Sequence, residues 1–181
     1  MVDSTIAGQN PTSSPSLLVP LDARQAILQV IENDEGGWVL SSDPDGGDGG
    51  WTYAGVTATT FNSFQGNKNY TKQYLISDME NSLDELKQII YSIYYKNYFS
   101  SLITFDPDLR AMEFSCAINC GPAAARKIAF ASKDKLSFAH NWLLHYGSII
   151  KDNPNKVIYI NGWINRVFRY LTPTEVAKVV A

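Results

Sequence analysis

Six glycines between positions 36 and 50 rule out one continuous helix or strand through that stretch. Gly36-Gly37 precedes Trp38-Val39-Leu40, and the pairs Gly46-Gly47 and Gly49-Gly50 separate that run from Trp51-Thr52-Tyr53. Apolar and aromatic runs on either side of a glycine-rich polar turn predict a short β-hairpin or lobe over 37–54. Each glycine adds chain entropy that folding must overcome, so packing alone does not explain the run. Just ahead of it, Ala23, Ala26, Ile27, Val30 and Ile31 fall on one face at helical spacing, with Asp22 as the expected N-cap.

Glu35 lies four positions after Ile31 and extends that inward stripe, away from Arg24, Gln25 and Gln29, with Gly36 as the expected C-cap. Partial burial and the negative end of the helix dipole would both disfavour its anion. A carboxyl kept protonated is what a leaving-group oxygen needs from a proton donor. From the helix alone, a surface glutamate at a fraying end accounts for the residue equally well. The neighbouring loop favours the chemical reading, because it holds Asp43, Asp45 and Asp48, any of which could face Glu35 across a cleft. The same acids do not make a calcium loop. An EF-hand started at Asp43 would put Ala54 where the bidentate glutamate belongs.

The motif Glu35-Gly36-Gly37-Trp38, followed by Gly49-Gly50-Trp51-Thr52-Tyr53-Ala54-Gly55-Val56-Thr57, resembles the glycoside hydrolase family 108 lysozymes. These are N-acetylmuramidases of the phage-endolysin and secretion-activator type. Three later segments are similar to that family in the same order: Tyr94-Tyr95-Lys96-Asn97-Tyr98-Phe99, Ala117-Ile118-Asn119-Cys120-Gly121 with Ala123 to Lys127, and Ile160-Asn161-Gly162-Trp163-Ile164-Asn165-Arg166-Val167. The likeness spans about residues 22–171. It implies hydrolysis of the β-1,4 bond between N-acetylmuramic acid and N-acetylglucosamine in peptidoglycan, without a cofactor. Glu35 matches the family's catalytic glutamate and Thr52 the threonine of its Thr-x-x-Gly motif. The family's usual loop aspartate is replaced by Gly47, in a loop about three residues longer. The second acid is therefore expected at Asp48, then Asp45, then Asp43. Expected substrate contacts are Gly36, Gly37, Trp38, Tyr53, Gly55, Thr57 and Asn119. Two alternatives stay open: a chitinase-like glycosidase, and a catalytically decayed cell-wall-binding or structural virion protein.

The rest of the chain reads as helices, giving a mainly α (α+β) fold: a lysozyme-like helical domain with a small β-hairpin or glycine-rich lobe beside the active site. Ser77-Asp78-Met79-Glu80 reads as a capping box opening a helix, and Asp106-Pro107 as the cap and first residue of another. That second helix is apolar nearly all round and so is expected at the centre, with Glu113 as an exposed or paired acid. Further helices are predicted at Pro122, over 135–150, over 155–171 and after Thr172. Arg166 is expected to anchor that last helical layer by pairing with an acid. Residues 21–181 are expected to form one domain, with a catalytic half over 21–105 and a helical, peptidoglycan-binding-like half over 106–181.

Composition narrows the partners. A net charge of -3 argues against nucleic acid. No run of about 18 apolar residues suggests a membrane span. Cys116 and Cys120, four apart on a helix, suit two thiols better than a disulfide. No metal site is expected, and His140, on the stripe of Leu136, Ala139 and Leu143, reads as a core histidine. Residues 1–20 are rich in Ser, Thr and Pro, predict an extended arm, and show no secretory leader. The expected setting is therefore a phage virion (its tail or baseplate, reached through that arm) or the host cytoplasm with holin-dependent release.

Overall fold

The predicted amphipathic stripe forms α1 (Leu21–Asn33), which buries Ala23, Ile27, Val30 and Ile31. Pro20 holds the N-cap position and makes no side-chain cap bond. Asp22 is thus not the cap; it sits in the first turn, where its charge meets the positive end of the helix. The computed structural model describes residues 18–42, 50–66 and 70–180. Most of the expected N-terminal arm and the loop with Asp43, Asp45 and Asp48 lie outside the described residues.

After α1 comes a three-stranded antiparallel sheet in sequential order, β1 (Leu40–Ser42), β2 (Trp51–Tyr53) and β3 (Val56–Thr57). The expected hairpin gains its third strand because Ala54 and Gly55 both take positive φ, 49° and 76°. Two such residues make a tight turn whose twist matches the flanking strands. Trp51 and Tyr53 point into the core, and Thr52 faces the other side together with its cross-strand partner Thr57. Thr57 also caps α2 (Ala58–Gln65), its hydroxyl accepting from the Thr60 N–H.

Two helices follow where one capping box was expected. Helix α3 (Lys72–Asn81) is capped by Thr71, and α4 (Leu83–Asn97) begins after a break at Ser82. Ser77 therefore lies inside α3, where its carbonyl accepts from Asn81. The Ser-x-x-Glu pattern misled because the helix starts six residues earlier, where Thr71 caps it by accepting from the Tyr74 N–H.

Helix α5 (Pro107–Cys120) starts as predicted, with Asp106 accepting from the N–H groups of Asp108 and Leu109. It is the shared wall of two hydrophobic clusters. Phe114 joins the first, built from α1, the sheet and α4; Met112, Cys116 and Ala117 join the second. That second cluster packs α5 against α6 (Pro122–Phe130), α7 (Lys135–Asp152), α8 (Ile160–Phe168) and α9 (Pro173–Val180). The helix predicted over 155–171 is split, since Pro154–Tyr159 winds as 3₁₀ before α8. His140 is exposed rather than in the core, which Phe138, Ala139 and Trp142 fill from the same helix. Cys116 and Cys120 are free thiols. The fold is mainly α with one small sheet.

Candidate active site

Helix α1 does not reach Glu35. Asp34 is the C-cap, and the chain leaves through a widened turn in which the Glu35 N–H bonds the Val30 carbonyl and the Gly37 N–H bonds that of Ile31. Gly36 and Gly37 follow with φ of 81° and 89°, a conformation other residues rarely adopt. Glu35 is therefore presented by the turn rather than by the helical stripe. It lines a cleft of about 230 Å³ between the sheet and the helices, together with Gly55, Thr57, Tyr94, Asn119 and Arg166.

The sheet presses its β2–β3 turn directly against the glutamate. A Cβ on Gly55 would stand 2.7 Å from Glu35 Cγ and Oε2 and 2.5 Å from the Tyr94 hydroxyl. Glycine is thus required there twice, by contact and by φ. Tyr94, from the inward face of α4, donates to the Ala54 carbonyl at 2.8 Å, while the Ala54 N–H reaches Val39. Ala54 is thus held through both its carbonyl and its N–H. Burial, and then the Glu35 charge, push the Tyr94 phenol well above its ordinary pKa, so it acts as a neutral donor.

The opposite wall comes from α8, more than 130 residues away in sequence. Arg166 Nη1 and Nη2 both donate to Glu35 Oε1 at 3.0 Å, and Nη2 also reaches the Asp34 carbonyl at 3.2 Å. This confirms that Arg166 pairs with an acid and names the acid. Reasoning from α1 alone gave Glu35 no cationic partner; the structure gives it a forked one. Asp34 is buried completely at its side chain, where it accepts from Ser115 at 2.6 Å and Tyr170 at 2.8 Å and pairs with Arg169. Burial opposes the charge on Arg166, but Glu35 and Asp34 outweigh it and hold the guanidinium above its ordinary pKa. Two adjacent acids therefore meet two arginines, Arg166 on α8 and Arg169 at its C-cap.

Of the expected contact residues, Gly55, Thr57 and Asn119 line the cleft with Glu35. Thr52 sits one strand behind, on the Thr57 side of the sheet. Trp38 and Tyr53 pack against each other with ring centroids 6.1 Å apart, and Tyr53 is only 1% exposed; both support the wall from behind. Gly36 and Gly37 shape the turn. Asp43, Asp45 and Asp48 lie outside the described residues. Asp34, Tyr94 and Arg169 were not singled out from the sequence as site residues. Tyr94 lies in the tyrosine-rich segment that resembles the family, but nothing local in the sequence links Arg169 to Asp34.

Glu113, the other interior acid, stands apart. It is fully buried on α5 and accepts from the N–H groups of Ile103 and Thr104 and from the Thr104 hydroxyl. These hydrogen bonds all come from one loop, and Glu113 is not among the residues lining the cleft.

A carboxyl anchored through one oxygen, in a cleft with sugar-sized dimensions and neutral hydroxyl donors nearby, can pass a proton to a bound ether oxygen. Comparison with curated proteins and with solved structures found no match. The family model described as Glycosyl hydrolase 108 matches residues 28–121, from the middle of α1 to the end of α5, just over half of the chain. The chain belongs to that family and is a glycoside hydrolase of the lysozyme-like, peptidoglycan-degrading kind.

Proposed function

We propose that the enzyme is an N-acetylmuramidase, cutting the β-1,4 bond from N-acetylmuramic acid to N-acetylglucosamine with Glu35 as proton donor. One observation carries the assignment of Glu35: both arms of Arg166 fall on Oε1, while Oε2 lies on the Gly55 side of the cleft. In the protonated carboxyl, Oε1 still accepts from Arg166 as a carbonyl oxygen, so the proton rides on Oε2. The leaving-group oxygen takes it as the C1–O bond breaks and the sugar gains oxocarbenium character. Asp48, with Asp45 and Asp43 behind it in preference, supplies the carboxylate near Thr52 that stabilises this charge or directs water. Carboxyl separations of ~6.5–9.5 Å accompany inversion and ~5–5.5 Å retention. Arg166 is a positioning residue, because it acts on the substrate only through Glu35.

Digestion of purified peptidoglycan followed by reduction and mass spectrometry tests the bond. Reduced muramic acid at the new ends is the expected result; reduced glucosamine ends would refute it. Chitin should not be cleaved, and turnover of chitin at the same rate would favour the chitinase-like alternative. The setting we propose, by resemblance to the phage endolysins of the family, is a phage-encoded enzyme acting at lysis or carried in the virion tail. Proteomics of purified particles separates the two.

A further inference from the structure

Two polar groups in the Glu35 cleft are used neither by the proton transfer nor by the packing of the fold. Tyr98, the C-cap of α4, and Asn119, near the end of α5, both line it. The Tyr98 ring has a packing role: its centroid lies 6.0 Å from that of Tyr94, and it packs against both hydrophobic clusters. A phenylalanine would pack there equally well. The Tyr98 hydroxyl, however, bonds no described residue. Burial, and then the Glu35 charge, raises its pKa, so it stands at the cleft as a neutral O–H. Asn119 is oriented by Tyr146, whose hydroxyl donates to Oδ1 at 2.8 Å. That bond fixes which end of the amide is the carbonyl. The NH2 end is left without a partner among the described residues.

We propose that Tyr98 and Asn119 bind the acetamido group of the hexosamine seated beside Glu35, each donating to its carbonyl oxygen. The proposal rests on the muramidase reading and names what that site recognises. It holds for either sugar flanking the bond, since N-acetylmuramic acid and N-acetylglucosamine both carry the group. Two unused neutral donors call for an acceptor with two lone pairs and no charge, which an amide carbonyl supplies. Ile118, half-buried, lines the same cleft and gives the acetyl methyl an apolar neighbour. A free amine at the same carbon, once protonated, brings only donors. It would leave both protein donors unpaired, and a site built to bond a substrate group rejects the analogue that lacks it.

The test uses the full chain and two substrates: solubilised peptidoglycan strands with their acetamido groups intact, and the same strands after de-N-acetylation, with re-acetylation as the control. Wild-type kcat/KM should be about tenfold or more higher on the acetylated strands. Tyr98→Phe keeps the ring and removes one donor. Its preference for acetylated strands should fall about 3–10-fold, with an unchanged melting temperature. Asn119→Asp keeps an oxygen for Tyr146 and replaces the NH2 by an acceptor. It should lower the preference further, because a carboxylate attracts the ammonium. An equal loss on both substrates would overturn the proposal, by assigning Tyr98 to a ring hydroxyl or to Glu35 itself. A wild type that does not distinguish the strands, a preference unchanged in either variant, or a lowered melting temperature in Tyr98→Phe would overturn it too. Wild-type enzyme inert toward both substrates would instead refute the muramidase reading, and this proposal with it.

Discussion

Gly55 and Arg166 hold Glu35 from opposite sides, and each makes a separate demand on its position. Gly55→Ala would force a methyl group to within 2.7 Å of the carboxylate and impose a φ of +76° on an L-residue. The expected result is a fall in lytic rate of about 10²-fold or more, with about 1–3 kcal/mol lost in a thermal melt. Retention of both would mean that the turn gives way without moving Glu35. Arg166→Met removes the cation from Glu35 and leaves Asp34 with Arg169 alone. Breaking a fully buried pair costs about 3–5 kcal/mol. Here the two side chains are 14% and 16% exposed, so about 2–3 kcal/mol is expected. Arg166→Lys keeps the charge but loses the fork, and should fall between wild type and Met in both activity and melting temperature. Sequence reading singled out Glu35 and Thr52 and expected Arg166 to pair with an acid. It could not join Arg166 to Glu35, because no local spacing encodes a contact across 131 residues.

The secondary-structure elements differ in how much of them local sequence determines. The stripe on α1 and the Asp-Pro start of α5 were readable because side-chain period and cap chemistry are local. The α3–α4 break and the split before α8 were not, since tertiary packing decides where a continuous polar-apolar pattern bends. Within α5, Glu113 serves the loop at Ile103 and Thr104. Glu113→Gln should cost about 1–3 kcal/mol by weakening a buried network, with specific activity of the folded fraction unchanged. If activity falls without a change in melting temperature, Glu113 has a chemical role that its contacts do not indicate.

Across the molecule, the family match ends with α5, yet the opposite wall of the cleft is built by α8. Residues after 121 supply Arg166, Arg169 and most of the second core cluster. A chain cut at Gly121 would strand Met112, Cys116 and Ala117 in water and leave Asp34 without Arg166 and Arg169. It should give no cooperative melt and no lysis; a folded, active fragment would show that the C-terminal layer is dispensable. Sequence reading expected both halves in one domain, because no linker composition separates them. What it could not supply is that the site lies between them.

All of this depends on Glu35 donating the proton, and Glu35→Gln on purified peptidoglycan tests that directly. The substitution keeps shape and a hydrogen-bond acceptor for Arg166 while removing the acid. The account predicts a loss of about 10²–10⁴-fold in the rate of bond cleavage, in a protein that still melts as a single cooperative unit. Cleavage within a few-fold of wild type, at an unchanged fold, would contradict it.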